Sequence, residues 1–584
     1  MENKKYNLTV INEMFWQAFP ALFLSTVTSV LSGVINGLIT GNFFSSESLA
    51  ALGFVSPFVQ ILSSIGAIIG AGARVESGRA LGRGESGKVD KIYSSSIITA
   101  SFIGILLTIV IFAFANPISY ALGARDEVVS LSALYTRGIA LGMLPTMITP
   151  SLMVFLQMFN DANKTFISTV ILVVCNLVFS LLNATIIKGG VFGMGIATTL
   201  SQVISMLYLF ICLKKKGVVK FDAKLFNIKE TITMIVVGSP SGLAQILYAT
   251  RNIILNQQAQ VILGVSAVTA LAITFSTAGV FDAVNIATKE VTISLSAIFA
   301  GEKDKESLKT LFKVSNKNGI IMAICKVIII FITGRYLCTA FGAKGEVIDL
   351  AYSLYIFYSY AMPINILVCA LSGIYQSLGK TKFLNILQIF SAFLFPVGWT
   401  LATKFVFGIN ALWSSFLMAE VFTLIAIFVV SLIKYKRVPT TIEDWLLIDS
   451  DYSYDKKLAI TVKSVDEVVT VASKVEQFCK ENDIDTRRSM MCGLCLEEIA
   501  GNVVEHGFTK SNKARQSVDI FVALDKDDLT LRIRDNAVAF DPRVKLGIKS
   551  DDPCKNIGIK MVNKLAKDMT YQSYFGMNVL VIKL

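Results

Sequence analysis

Glu498, Asn502 and His506 recur at intervals of four in the stretch LEEIAGNVVEHGF, residues 496–508, and His506 is the only histidine among 584 residues. On an α-helix a step of four overshoots one turn by about 40°, so these side chains share one side. A carboxylate can act as a general base, and an amide oxygen can ligate Mg²⁺ when phosphates supply further oxygens. Two other segments complete such a set. RDNAVAFDP (534–542) follows an alternating run. That places Asp535 at a strand end, where its carboxylate can accept from an amino group such as that of adenine. CKNIGIKMV (554–562) opens a helix with Gly558 near its start, and helix N-termini present unpaired N–H groups and a positive dipole end to phosphate.

The elements that must hold these groups are readable from pattern. KLAITVK (457–463) alternates as a strand does, and SVDEVVTVASKVEQFCKEN (464–482) predicts a helix with Ser464 as N-cap and Glu467 completing a capping box. Residues 485–507 predict a second helix, 517–536 a hairpin around DKDD, 557–569 a third helix and 570–584 a final hairpin. Helices on one side of an antiparallel sheet make a soluble two-layer α+β domain, expected over 455–584. Cys492 and Cys495 form a CxxC without two further ligands at zinc spacing, so both are expected in the core. The nine cysteines are spread thinly and suggest no disulfide framework.

The preceding residues differ in kind. The chain is 54% hydrophobic and 16% charged, with mean hydropathy +0.63, against about 25% charged in soluble domains. Apolar windows near 14–40, 49–72, 92–115, 131–156, 166–187, 191–213, 233–262, 267–300, 319–341, 350–376, 384–404 and 408–433 predict an all-α polytopic membrane domain of twelve transmembrane helices. Domain limits are expected at 1–440 for this part, with lobes at about 10–220 and 230–435, and at 441–454 for a linker. One set of loops carries Arg79, Arg83, Lys88, Lys91, Lys164, Lys214, Lys215, Lys216, Lys303, Lys305, Lys309, Lys380 and Lys382; the other carries Arg125, Lys188, Arg335, Lys344 and Lys404. That bias places the N-terminus and the soluble domain in the cytoplasm, under a plasma (inner) membrane. The net charge of +12 is accounted for by these loops. It is scattered between spans and gives no nucleic-acid footprint. The bilayer is therefore the expected large partner.

The two halves of the membrane part repeat. LGARDEVVSLS at 122–132 matches FGAKGEVIDLA at 341–351, an offset of 219, and Pro20 and Asn36 pair with Pro240 and Asn256. Six spans per repeat leaves both halves in one orientation, related by an axis along the membrane normal, with a cavity between them. Charges inside spans are costly and usually pair or work. Arg251, Asp282 and Glu290 are the candidates for a cation or cationic substrate. The competing expectation is structural ion pairing, Arg251 with Asp282 and Lys289 with Glu290.

NGLITGNFFSSESLAALGFVSPF (36–58), SGRALGRGESGKV (77–89), VCNLVFSLL (174–182) and GVFGMGIATTLSQVIS (190–205) resemble the multidrug and toxic compound extrusion (MATE) transporters. The resemblance, over roughly 10–435, implies two six-helix lobes and efflux of small organic, often cationic, compounds against entry of Na⁺ or H⁺. The family's frequent acidic residues are replaced by Asn36 and by Ser180, four residues after Asn176. Neither replacement can carry a proton at useful pH. The tail resembles the Bergerat (GHKL) ATPase fold, closest to anti-sigma-factor serine kinases. That resemblance implies Glu498 as base, Asn502 as Mg²⁺ ligand, and Asp535 as adenine reader. It also implies His506 in the pocket, Ala537 and Ala539 where glycines are usual, Gly558 in the phosphate loop, and ATP with Mg²⁺ as cofactors. Asn556 stands where a further glycine is usual. The combined expectation is an ion-gradient-coupled exporter with a cytoplasmic ATP-binding domain that regulates it or phosphorylates a regulatory protein partner. The alternative is a membrane-anchored serine kinase or anti-sigma-type protein that uses the transporter fold as a sensor.

Overall fold

The computed structural model describes residues 2–584 except 450, 451, 453, 455, 510–515, 526, 527, 540 and 544–556. The side chains of 2–7, 9, 31–38, 41, 42, 46, 276–278, 557 and 558 also lie outside the description, which takes in Asn36, while Asn556 lies outside it altogether. The apolar windows are helices, as their length requires once no water is available to the backbone. Among the described residues ten are long and apolar enough to cross a membrane, or eleven when Glu127–Ala140 and Met143–Met158, bent by 46°, form one span. The 42-residue helix Glu2–Phe43 precedes them.

The sequence repeat is also a repeat of backbone geometry. Leu122 and Phe341 each cap a helix, and each is followed by a left-handed glycine, Gly123 at φ 98° and Gly342 at φ 90°. Asp126 and Gly345 match at φ 52°, ψ −134° and φ 56°, ψ −135°. At the opposite end Glu85 N–H donates to the Ala80 carbonyl and Asp304 N–H to Phe299, both at 2.9 Å. The two halves meet most closely at this second end. Helix Ser46–Gly82 of the first half packs against Ile228–Leu263 and Val265–Gly301 of the second. A Cβ on Gly82 would collide with the Ile298 carbonyl oxygen, and one on Gly301 with that of Arg79.

The tail is a five-stranded antiparallel sheet: β1 (Lys456–Val462), β2 (Val518–Asp525), β3 (Asp528–Asp535), β4 (Asp568–Tyr574) and β5 (Met577–Lys583), in the order β1-β2-β3-β5-β4. Helices Val465–Glu481 and Thr486–Asn502 cover one face. Their Val475, Cys492, Cys495 and Leu496 share a core with Ile520, Val522, Leu531, Ile533, Leu580 and Ile582. Among the described residues Ser464 makes no side-chain cap bond and the expected capping box does not form: Glu467 instead accepts from the Lys463 N–H, one residue before the cap, at 2.8 Å.

Antiparallel sheets usually leave their second face to water. Here it is covered. Met577, Val579 and Val581, alternating with Leu580 and Ile582, belong to the core of the helical part. Residues 441–449 dock there as well. Thr441 and Asp444 form a capping box on the short helix Ile442–Trp445, Leu446 and Leu447 are buried, and Glu443 pairs with Lys305 and Lys309.

Gly82→Ala should lower the thermal unfolding midpoint, by a free energy of about 1–3 kcal/mol. Gly87→Ala should not, because a Cβ there meets nothing within 4 Å. Melting of both variants in detergent checks this; equal midpoints would contradict the close packing.

Candidate functional site

Charged and polar side chains from five helices of the second half converge inside the apolar helices. Asp282 receives the Tyr358 hydroxyl on both carboxylate oxygens, at 2.5 and 2.6 Å. Lys326 donates to the Phe281 carbonyl at 2.8 Å and to Asn285 at 3.0 Å. Asn285 donates to Asn365 at 2.7 Å, and Asn365 donates to Glu420 Oε1 at 2.7 Å. Glu420 Oε2 is buried and has no hydrogen-bond partner among the described residues. Arg251 lies over the rings of Tyr248 and Phe416, at 4.9 and 5.2 Å, and donates to Asn252. Two carboxylates and two cations thus balance, and the hydrogen-bond chain ends on an oxygen that wants a proton or a cation.

This differs from the structural pairing weighed from sequence. Among the described residues no ion pair joins Arg251 to Asp282. Glu290 pairs with Arg74 of the first half, at 3.1 Å, and not with Lys289, which is its neighbour in sequence and points elsewhere. Arg74 also donates to Ser294 at 2.8 Å, and Arg79 donates to the Ser377 carbonyl at 2.8 and 3.0 Å. These bonds latch the halves together at the tail end. Asn256 stands exposed, five residues and so about 140° around the helix from Arg251. Asn176 is buried in a neutral knot, donating to Thr198 at 3.1 Å and accepting from Ser180 at 3.4 Å. Lys326, Tyr358, Asn365 and Glu420 were not singled out from sequence. Lys326 and Glu420 carried the same signal as Asp282, a charge within an apolar window.

In the tail, Asn502 Nδ2 donates to Glu498 at the carbonyl and, at 2.7 Å, at Oε1, which turns Asn502 Oδ1 away from that carboxylate. Beyond Asn502 the helix widens into a π-turn, Val503–Gly507, a feature frequent at functional sites, and His506 on it is exposed. Asp535 ends β3, is 7% exposed, and accepts from Ala537 N–H at 2.9 Å and Asn578 Nδ2 at 2.8 Å. A Cβ on Gly507 would lie 3.1 Å from that of Ala537, so the end of the helix abuts the loop after β3. The helix carrying Glu498 packs on β3 and on Ile557–Leu565, which begins beside Gly558. The three segments therefore converge. Neither Ala537 nor Ala539 has positive φ, so the backbone does not need glycine there. Asn502 Oδ1 fits a Mg²⁺ ligand and the buried Asp535 carboxylate fits an amino-group acceptor. Asn578, which sequence reading missed, holds Asp535 from β5.

Comparisons with known proteins agree with this division. The MatE family profile matches residues 21–182 and 240–400. The histidine kinase-like ATPase domain profile matches 462–583. The chain is 24% identical over 434 residues to the multidrug export protein MepA of Staphylococcus aureus (strain MSSA476), covering 72% of this chain and 94% of that one. It is 23% identical over 244 residues to the probable multidrug resistance protein YoeA of Bacillus subtilis (strain 168), covering 40% and 52%. A structure described as the outward-facing conformation of a multidrug resistance MATE family transporter superposes with TM-score 0.65 at 20% identity, covering 71% of this chain and 94% of that one. A MOP superfamily transporter from Pyrococcus furiosus gives 0.67 at 20%, with the same coverage.

Asn365→Leu leaves the Asn285 and Glu420 side chains without their shared partner. It should cost about 1–3 kcal/mol for each stranded group, read as a lowered unfolding midpoint. A midpoint at the wild-type value would contradict the chain of bonds.

Proposed function

The chain belongs to the MatE family, and from that premise we propose that it is an ion-gradient-coupled exporter of small organic, often cationic, compounds. It would have twelve spans in two six-helix lobes, helix Glu2–Phe43 being the first, and its N-terminus and tail would be cytoplasmic. The observation that carries the proposal is Glu420 Oε2, buried and unpartnered at the end of a charge-balanced chain that includes Lys326 and lies beside Asp282. A carboxylate oxygen in that position binds Na⁺ or H⁺ when the ion enters, and the change in charge reorganises the bonds to Asn365 and Asn285 on neighbouring helices. The names of relatives such as MepA and YoeA support efflux of drug-like molecules. The neutral Asn176–Ser180 knot offers no titrating group in the first lobe, which favours coupling in the second.

The tail would bind ATP with Mg²⁺, Asn502 offering its amide oxygen to the metal, which would supply positive charge beside the phosphates. Asp535 would hold the adenine amino group, the helix start at Gly558 would face phosphate, and Glu498 would stand as base. We infer that this domain regulates the transporter to which it is joined, in preference to a sensor kinase acting on a protein partner. Its sheet is buried against both halves of the membrane part, so anything that moves the sheet acts first on the transporter.

In proteoliposomes, a fluorescent lipophilic cation should leave against an imposed Na⁺ or H⁺ gradient. Glu420→Gln and Asp282→Asn should each slow that export about tenfold or more; wild-type rates in both variants would contradict the coupling site. Binding of an ATP analogue to the purified full chain should fall about tenfold to a hundredfold in Asp535→Asn. Unchanged affinity would exclude Asp535 as the adenine acceptor.

A further inference from the structure

The helix-free face of the sheet lies across the seam between the two halves. Arg532, on β3, reaches both: its Nη1 is 3.2 Å from Glu302 at the end of the second-half helix Val265–Gly301, and its Nη2 donates at 3.3 Å to the carbonyl of Gly82, the last residue of the first-half helix Ser46–Gly82. Arg534 pairs with Glu302 at 2.5 Å and lies over Phe299 at 5.3 Å. Glu302 is fully buried, and the Tyr574 hydroxyl donates to it at 3.4 Å.

These two helices are repeat-related, and their C-terminal ends converge here, so two negative dipole ends and a carboxylate face two arginines. Further bonds fasten the sheet to the first half. Phe575 N–H donates to the Met158 carbonyl at 3.2 Å, Gly576 N–H to Asn160 Oδ1, and Asn536 to Glu13 at 3.1 Å. Asn536 directly follows Asp535, and Asn578 is the second residue of β5, whose Val579 and Val581 form the apolar part of the same face. The strands that meet the transporter therefore end at the nucleotide pocket.

We propose that this face of the sheet is an intramolecular clamp that holds the cytoplasmic ends of the two lobes together, so that the transporter opens inward only when the clamp releases. The inference deepens the reading of the tail as a regulator of its own transporter and rests on it. Inward opening by rocking of the lobes must part Gly82 from Glu302. Arg532 cannot then serve both, and Glu302 loses a buried partner. The latch of Arg74 with Glu290 closes the same end from within the membrane part, and the clamp adds to it from outside.

Spin labels at exposed Lys91 of the first lobe and Lys317 of the second, each replaced by Cys in a chain otherwise freed of cysteine, report the separation of these ends in the full-length protein by electron–electron resonance in nanodiscs. Compared with the same chain carrying wild-type Arg532, Arg534 and Glu302, the long-distance population should rise about tenfold in R532Q/R534Q. It should rise in the same direction in E302Q, which leaves the tail sequence intact and covers the case in which the double variant misfolds. Distance distributions that match the parent in E302Q, or in both variants where both fold, overturn the clamp. Gradient-driven export by the wild-type chain is measured separately, so a failure of the transport reading is not mistaken for a failure of the clamp.

Discussion

A carboxylate with no exposure to water, Glu302, sits where the membrane part meets the tail, and the arrangement of both depends on how its charge is met. A buried charge is tolerated only when paired, and removing one partner from such a pair costs about 3–5 kcal/mol. Arg532 and Arg534 supply the pairing from β3, two residues apart and hence on one face of the strand. That fixes which face of the sheet meets the helices. The remaining faces follow: Leu531 and Ile533 turn toward the tail's own helices, and β5 is apolar on both sides because Leu580 and Ile582 serve one core while Val579 and Val581 serve the other. The docked segment around Ile442–Trp445 keeps the join short, with Glu443 tied to Lys305 and Lys309 just beyond Glu302.

Two polar systems thus divide the molecule. One lies deep in the second half, where Asp282, Lys326, Asn285, Asn365 and Glu420 answer one another's charge and hydrogen-bonding capacity and leave one oxygen open. The other lies at the tail end, where Arg74 with Glu290 and Arg79 with the Ser377 carbonyl cross between the halves, and Arg532 bridges them from the tail through Gly82 and Glu302. The first is suited to sensing an ion and the second to holding a conformation. Close packing at Gly82 and Gly301 brings the helix ends near enough for one guanidinium to reach both.

Much of this was legible in the sequence, and the rest was hidden for physical reasons. Helices in the membrane part followed from length and hydropathy, because a backbone in lipid has few other options. The convergence of Glu498, Asn502, Asp535 and Gly558 followed from residue types placed on readable elements. Lys326 and Glu420 were equally visible as charges in apolar windows. The Arg74–Glu290 pair could not be read, since its members are far apart in the chain and only the packing of the halves brings them together. Local spacing misled at Ser464, where Glu467 accepts from Lys463 and the capping box does not form, and at Asn256, which the repeat pairs with Asn36 but which stands exposed, away from the charged cluster. The covered face of the sheet did leave a trace, in the unbroken apolar run of β5 and in two arginines alternating with leucine and isoleucine on β3.

Trapping the join covalently tests the central claim, that the sheet's helix-free face is seated on the tail-side end of the membrane part. A Cβ on Gly84 would lie 3.0 Å from Thr570 Oγ1 of β4, so Gly84→Cys with Thr570→Cys, in a chain otherwise freed of cysteine, should form a disulfide under mild oxidation. Peptide mass spectrometry should recover the 84–570 cross-linked pair from most of the folded protein. Recovery of only the free thiols from folded protein would mean that the sheet is not seated there, and the account would fail.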